Sequence, residues 1–160
     1  KFFLFLKKSI QEMDYNNFKL AQRNIEGIEN CLLLNKAISI SNGVVCYSKK
    51  RAEDAYQVVC ENLEDIDEGV KVESTTVASI IEDFNLEFID FVKMDIEGEE
   101  VRVFDERLAD LSWLRRVGTF NIEVHTVESD LHQIVSTLSD HGFKAWKSDH
   151  HWSAVFATKI

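Results

Sequence analysis

Along almost its whole length the chain alternates strand-length apolar runs with segments of helical period. That alternation predicts an α/β fold built on a largely parallel sheet, because a helix between two strands returns the chain to run in the same direction. Ser9, Ile10 and Gln11 read as a short strand ending at Glu12. Residues 16–26 read as a helix, since Phe18, Ala21, Gln22 and Ile25 recur at helical spacing, and Gly27 supplies a stop. Residues 31–38 read as a buried strand. Residues 43–47 are a second extended piece, so close behind it that a hairpin-like excursion is expected. Residues 49–69 are charged and weakly periodic, with 52–63 the helical candidate. A strand at 70–74 leads to Thr75 or Thr76, either of which can cap a helix reaching Phe84 with Val77, Ile80, Ile81 and Phe84 on its inner face. The nearly continuous apolar run at 88–94 suits a strand covered by helices on both faces. Gly98 is expected to open a helix running to about Leu111. A strand at 117–124, a helix at 129–141 stopped by Gly142, and strands at 143–147 and 152–158 around the turn 148–151 complete the order. The chain has no internal repeat.

A chain of 160 residues suits a single domain spanning 1–160. At that size about 70% of the unfolded chain's surface is buried, enough for a real core. Six Gly and no Pro argue against linkers or low-complexity tails. The formal net charge of −10 would be repelled by a phosphate backbone, so no nucleic-acid partner is expected. The run Lys49-Lys50-Arg51 reads as a solvated turn, or as a contact for an anionic substrate. Cys31, Cys46 and Cys60 form no C-x-x-C pair, and Cys31 and Cys46 sit in apolar runs, which suggests a reducing, cytoplasmic setting. No apolar run approaches the roughly 18 residues of a membrane helix, so no membrane partner is expected. Residues 1–8 are too short to span and lack a small-residue cleavage site. They read as core, the end of a helix or a buried strand. A chain that opens on Lys1 reads as a fragment or a trimmed chain.

In open parallel sheets ligands bind beyond the carboxyl ends of the strands, so the residues at those ends are the candidates for chemistry. Glu12 ends the first strand and can accept hydrogen bonds from the two hydroxyls of a ribose, or it is a surface glutamate. Asn35, Lys36 and Ala37 end the next. A polar side chain there can meet an adenine edge and Ala37 leaves room for a flat ring, or this is ordinary strand-end polarity. The strand at 88–94 runs into Asp95-Ile96-Glu97-Gly98-Glu99-Glu100, the densest chemical segment. Asp95 should point into the crevice, whereas Glu97, Glu99 and Glu100 crowd a helix start, where negative charge is stabilised in any case. Glu123 and His125 project to one side of the strand at 117–124. His125 beside a carboxylate can be a general base, or a satisfied structural histidine. Asp95, Glu97, Glu123 and His125 also have the chemistry of a divalent-metal site. His150 and His151 read as solvated turn residues.

Residues 89–100, Ile-Asp-Phe-Val-Lys-Met-Asp-Ile-Glu-Gly-Glu-Glu, resemble the "DFVKMDIEGAE" signature of FkbM-family methyltransferases. Other pieces agree in order. Glu12 to Phe18, with Leu20 and Asn24, is similar to the family's "EPNPENFxxLxxN". Asn35 to Ser39 resembles "NKALS", Thr75 to Ile81 resembles "TTLDxLL", Ile122 to His125 resembles the fifth strand, and Leu138 to Phe143 resembles "LxxxGF". The likeness covers residues 9–159. It implies a Rossmann-like class I methyltransferase fold, with a mostly parallel sheet, helices on both faces and a C-terminal antiparallel hairpin. It implies S-adenosylmethionine as cofactor and a small-molecule acceptor, usually a hydroxyl of a sugar or metabolite. Glu12 would hold the cofactor ribose, Lys36 and Ala37 would lie near the adenine, and Asp95 would border the methyl group. Glu97, Glu123 and His125 would face the acceptor. One departure is large. The family's first strand and its glycine-rich "D-x-G-A-N-x-G" loop should stand well before Glu12, yet only eleven residues precede it and none is Gly. A partial methyltransferase domain is therefore expected. A non-catalytic remnant that keeps the fold as a binding module, and a metal-dependent enzyme using Asp95, Glu123 and His125, are the rival expectations.

Overall fold

The computed structural model describes residues 8–48, 58–60 and 69–160. The expectations for Phe2–Leu6 and for Lys49-Lys50-Arg51 lie outside those residues. Among the described residues the chain is a mixed α/β protein with three small sheets, in place of the mostly parallel sheet that the alternation suggested. Strands β1 (Lys8–Gln11) and β2 (Cys31–Leu34) form a parallel pair, joined by helix α1 (Tyr15–Asn24). A second sheet has the order β3-β6-β4-β5, from β3 (Ala37–Ile38), β4 (Gly43–Ser48), β5 (Val58–Cys60) and β6 (Gly69–Thr75). The third has the order β7-β8-β10-β9, from β7 (Ile89–Met94), β8 (Val117–Glu123), β9 (Phe143–Lys147) and β10 (Ala154–Lys159). The pairs β1–β2, β3–β6 and β7–β8 are parallel, and the pairs made by β4 and by β10 are antiparallel. Helix α2 (Val77–Asp83) enters β7, and helix α4 (Glu128–Asp140) lies between β8 and β9.

Several local expectations are corrected. The strand expected over 31–38 breaks at Asn35-Lys36, and its halves pair in different sheets. The cause is visible at the break. The Asn35 amide donates to the carbonyls of Glu12 and Met13, at 2.8 and 3.1 Å, and so ties the end of β2 to the end of β1. Strand β4 makes no hairpin with 31–38. It pairs with β6 and β5 instead. Within the expected helix 52–63, residues Val58–Cys60 are the strand β5. The helix expected from Gly98 to Leu111 is one turn, α3 (Glu100–Val103). Gly98, at φ 107°, cannot be helical, and Asp105 ends the helix by turning its carboxylate onto the backbone and guanidinium of Arg107. That pairing holds the Asp105 carboxyl down at about 2, chiefly through its hydrogen bond from Arg107. A short 3₁₀ turn, Ser112–Arg116, then leads into β8. Finally, among the described residues β7 pairs with β8 alone, and Phe91 on β7 stays 56% exposed where cover on both faces was expected.

The main core joins α2, α3, the 3₁₀ turn, α4 and the third sheet. Its centre is Phe120 on β8, fully buried against the rings of Phe104, Trp113 and Phe143 with centroids 5.4–5.8 Å away. A second, smaller core of Ala37, Val45, Tyr47 and Val72 sits on the β3-β6-β4 sheet, with Met13 packed against it. Asp14 joins that core to α1. It is 1% exposed, caps α1 by accepting from the N–H groups of Asn16 and Asn17, and accepts from the Tyr47 hydroxyl at 2.9 Å. Asp14→Ala removes the helix cap and one partner of a buried hydroxyl together. It is expected to cost about 1–3 kcal/mol, read as a lower urea midpoint at unchanged slope.

Candidate functional site

Strands β7 and β8 are parallel, in register from Ile89–Val117 to Met94–Ile122, so both end at the same edge of the sheet. Asp95 follows one and His125 closely follows the other. Antiparallel β10 begins at that edge, with Ala154 opposite Glu123. The topology thus delivers three chain segments to one place.

Their side chains meet around the His125 ring. Nε2 lies 3.5 Å from Asp95 Oδ1, 3.8 Å from Glu123 Oε1 and 3.9 Å from Glu97 Oε2. Nδ1 lies 3.4 Å from Glu100 Oε1. All four distances exceed an ideal hydrogen bond, and the Nδ1 contact with Glu100 is the shortest of them. Lys93 bonds Asp95 Oδ2 at 2.8 Å and reaches Glu123 Oε2 at 3.8 Å, so it neutralises the outer side of the cluster. The four site residues named from the sequence as Asp95, Glu97, Glu123 and His125 are therefore brought together.

The turn that carries Asp95 is backbone-controlled. Glu97 is left-handed at φ 57° and Gly98 follows at φ 107°. A side chain rarely adopts that region and keeps it only when its surroundings impose it. Here the N–H groups of Ile96 and Gly98 both donate to the Glu100 carboxylate at 2.8 Å. Glu99 is bound separately, by Arg102 at 3.0 Å and by the hydroxyl of Ser39 at 3.4 Å, which joins the end of β3 to this turn.

The residues named for the cofactor are placed differently. Glu12 stands at the carboxyl end of β1 and accepts the Asp14 N–H at 2.8 Å. Desolvation by burial pushes its carboxyl above the usual glutamate range, against the opposing backbone hydrogen bond from Asp14. Lys36 pairs with Glu73 at 3.3 Å at the surface. Ala37 is packed in the smaller core, paired with Ser74. Among the described residues, Glu12, Lys36 and Ala37 make no hydrogen bond or ion pair with the His125 cluster.

Sequence reasoning missed three members of the site. Glu100 read as a helix-start charge, but it is fully buried. No local signal marks it, because its burial depends on the left-handed turn at Glu97 and Gly98. Lys93, a half-exposed cation in an apolar strand, also reaches the cluster. His151 read as a solvated turn residue, yet its Nε2 lies 3.9 Å from Glu123 Oε1 because β10 pairs beside β8. Ligand-type atoms of Asp95, Glu100 and His125 lie within 4.8 Å of one another. Both Glu100 oxygens are already engaged by backbone N–H groups, so that carboxylate is poorly placed to bind a cation. No described helix is long and apolar enough to cross a membrane.

A family model described as the methyltransferase FkbM domain matches residues 6–145. No curated protein and no solved structure matches the chain.

Proposed function

Because the chain belongs to the FkbM methyltransferase domain family, we propose that it takes part in S-adenosylmethionine-dependent methyl transfer to a hydroxyl oxygen of a sugar or small metabolite. The observation that carries this reading is the convergence of Asp95, Glu123 and His125 at the shared end of two parallel strands, where such sheets bind ligands. The parallel pairs and the crossover helices are consistent with a Rossmann-like arrangement around that edge.

The residues suit the cofactor in two respects. Glu12 presents a partly desolvated acceptor at a strand end, the chemistry that holds the hydroxyls of a ribose. The carboxylates around His125 create the negative potential that attracts a sulfonium cation. When bound, S-adenosylmethionine supplies the electrophilic methyl group. This chain's part is positioning and proton handling. Asp95 and Glu123 accept from acceptor hydroxyls and fix their orientation, which is where most of the acceleration of such a displacement arises. His125 Nε2 takes the proton of the attacking hydroxyl. Lys36, beside Glu73 at the surface, borders the adenine in this reading, whereas Ala37 is taken up in the smaller core. A cytoplasmic setting fits Cys31 and Cys46, both free thiols.

Calorimetry with S-adenosylhomocysteine tests the reading on the chain as it stands. Binding in roughly the micromolar range is expected, which is about −8 kcal/mol. No heat of binding, with cooperative unfolding intact, would leave a folded binding module without the cofactor. Glu12→Gln sharpens the test. The Glu12 carboxyl is raised in the folded state, so its stabilising contribution is complete below the unfolded pKa and is lost as pH rises through the folded one. At neutral pH the ionised group therefore costs stability. Glu12→Gln is expected to raise the unfolding temperature and, by losing an ionised acceptor for the ribose, to weaken S-adenosylhomocysteine binding about tenfold or more. A variant with unchanged affinity would remove Glu12 from the cofactor site.

A further inference from the structure

We infer that Glu100 is the positioning residue of this site: its buried carboxylate holds His125 as the Nδ1–H tautomer and thereby leaves the Nε2 lone pair facing Asp95, Glu97 and Glu123. The inference rests on the reading of His125 as the base.

Glu100 opens the one-turn helix α3 and is 0% exposed. A buried carboxylate is tolerated only where its oxygens are well supplied with donors. Two of the donors are backbone groups, Ile96 N–H to Oε1 and Gly98 N–H to Oε2, each at 2.8 Å. They point inward because the chain turns through left-handed Glu97. The third polar neighbour is His125 Nδ1, 3.4 Å from Oε1. A carboxylate serving as acceptor to backbone N–H groups attracts a ring nitrogen that carries a proton and repels one that carries a lone pair. The same rule acts at Nε2, but Asp95 and Glu123 there are partly exposed and share Lys93, whereas Glu100 is fully buried and makes the shortest contact, so the ring proton is drawn to Nδ1 and that contact decides the tautomer.

The opposite side of the ring then makes chemical sense. With the proton on Nδ1, Nε2 is an acceptor surrounded by other acceptors, Asp95 Oδ1, Glu123 Oε1 and Glu97 Oε2. Such a set favours a guest that brings its own O–H groups, one directed at Nε2 and others at the carboxylates. Were the proton on Nε2 instead, the ring would donate toward Asp95, set Nδ1 against Glu100, and have no means of receiving a hydroxyl proton. The charged and titratable groups that face the ring are Asp95 and Glu97 from the turn after β7, Glu100 from α3 and Glu123 from β8. Lys93 and His151 touch that set from β7 and from the turn before β10.

Nitrogen-15 NMR of the histidine-labelled chain reads the tautomer directly. It is recorded at about pH 8.5, where an ordinary imidazole is neutral, and His125→Asn identifies the signal by its loss. The wild-type ring is expected to be protonated at Nδ1. Protonation at Nε2 in the wild type overturns the inference. In Glu100→Ala and Glu100→Gln the preference for Nδ1 should disappear. Its persistence in a folded variant would show that Glu100 does not set it. In turnover, Glu100→Gln should lower kcat about ten- to a hundredfold and shift the pH profile, with KM for S-adenosylmethionine nearly unchanged. The two readings fail separately. An Nδ1–H ring in a chain that methylates no hydroxyl compound leaves the positioning standing and removes the base. Methyl transfer with an Nε2–H ring does the reverse.

Discussion

His125→Ala is expected to lower kcat for methyl transfer by about 10²- to 10⁴-fold, the usual contribution of a positioned general base. The ring sits where β7, β8 and the start of β10 meet, with Nε2 3.5 Å from Asp95 Oδ1 and 3.8 Å from Glu123 Oε1. Alanine leaves the carboxylates in place but removes the imidazole nitrogen that faces both of them. Glu12, at the end of β1, makes none of these contacts, so S-adenosylhomocysteine affinity should stay within a few-fold of wild type. The measurement is the rate of S-adenosylhomocysteine formation with a hydroxyl acceptor found by screening sugars and small metabolites. A matching Asp95→Asn variant should fall strongly as well, because it loses an ionised acceptor while keeping the shape of the turn. A loss in kcat at unchanged cofactor affinity supports proton transfer and orientation. A parallel loss of cofactor affinity and cooperative unfolding would make His125 a structural histidine of the Glu100 turn instead.

How far the sequence foretold this site depends on how local each cause is. Asp95 and His125 were legible because a strand end is a local pattern, and parallel strands place their ends together. Glu123 followed from period-two alternation along β8. Glu100 was not legible. Its burial depends on Glu97 taking a left-handed conformation and on two backbone N–H groups turning inward, and side-chain type announces neither. His151 depends on β10 pairing beside β8, a contact distant in sequence. The same division holds for the fold. Helices α1, α2 and α4 were recognised within a residue or two from apolar spacing, the Thr76 cap and the left-handed glycines Gly27 and Gly142. The partners of β4 were misjudged because a short connection suggested the strand before it, whereas pairing went to β6, whose Val72 and β4's Val45 share the smaller core. The long helix after Gly98 failed for a local reason that composition hides: Asp105 satisfies the backbone of Arg107 better than a continuing helix would.

The largest purely structural effect is expected from Phe120→Ala, a loss of about 3–5 kcal/mol. Phe120 is 0% exposed and lies on β8, the strand that ends at Glu123. Its ring meets Phe104 edge-on at 5.8 Å, Trp113 at 5.8 Å and Phe143 at 5.4 Å, so three elements, α3's end, the 3₁₀ turn and β9, lose a shared partner at once. Edge-to-face contacts of this kind add to simple burial, and three surrounding rings anchored in separate elements cannot collapse together into the space left. Phe120→Leu, which keeps most of the volume, should cost appreciably less. Urea unfolding followed by tryptophan fluorescence reads both, since Trp113 is itself in the cluster. Because Phe120 backs the strand that ends at Glu123 and His125, the alanine variant should also loosen the site, lowering turnover even at temperatures where the chain stays folded. A Phe120→Ala loss below about 1 kcal/mol would mean that the aromatic cluster is not the centre of the core, and that the edge carrying Asp95 and His125 is held by the backbone ladder of β7 and β8 alone.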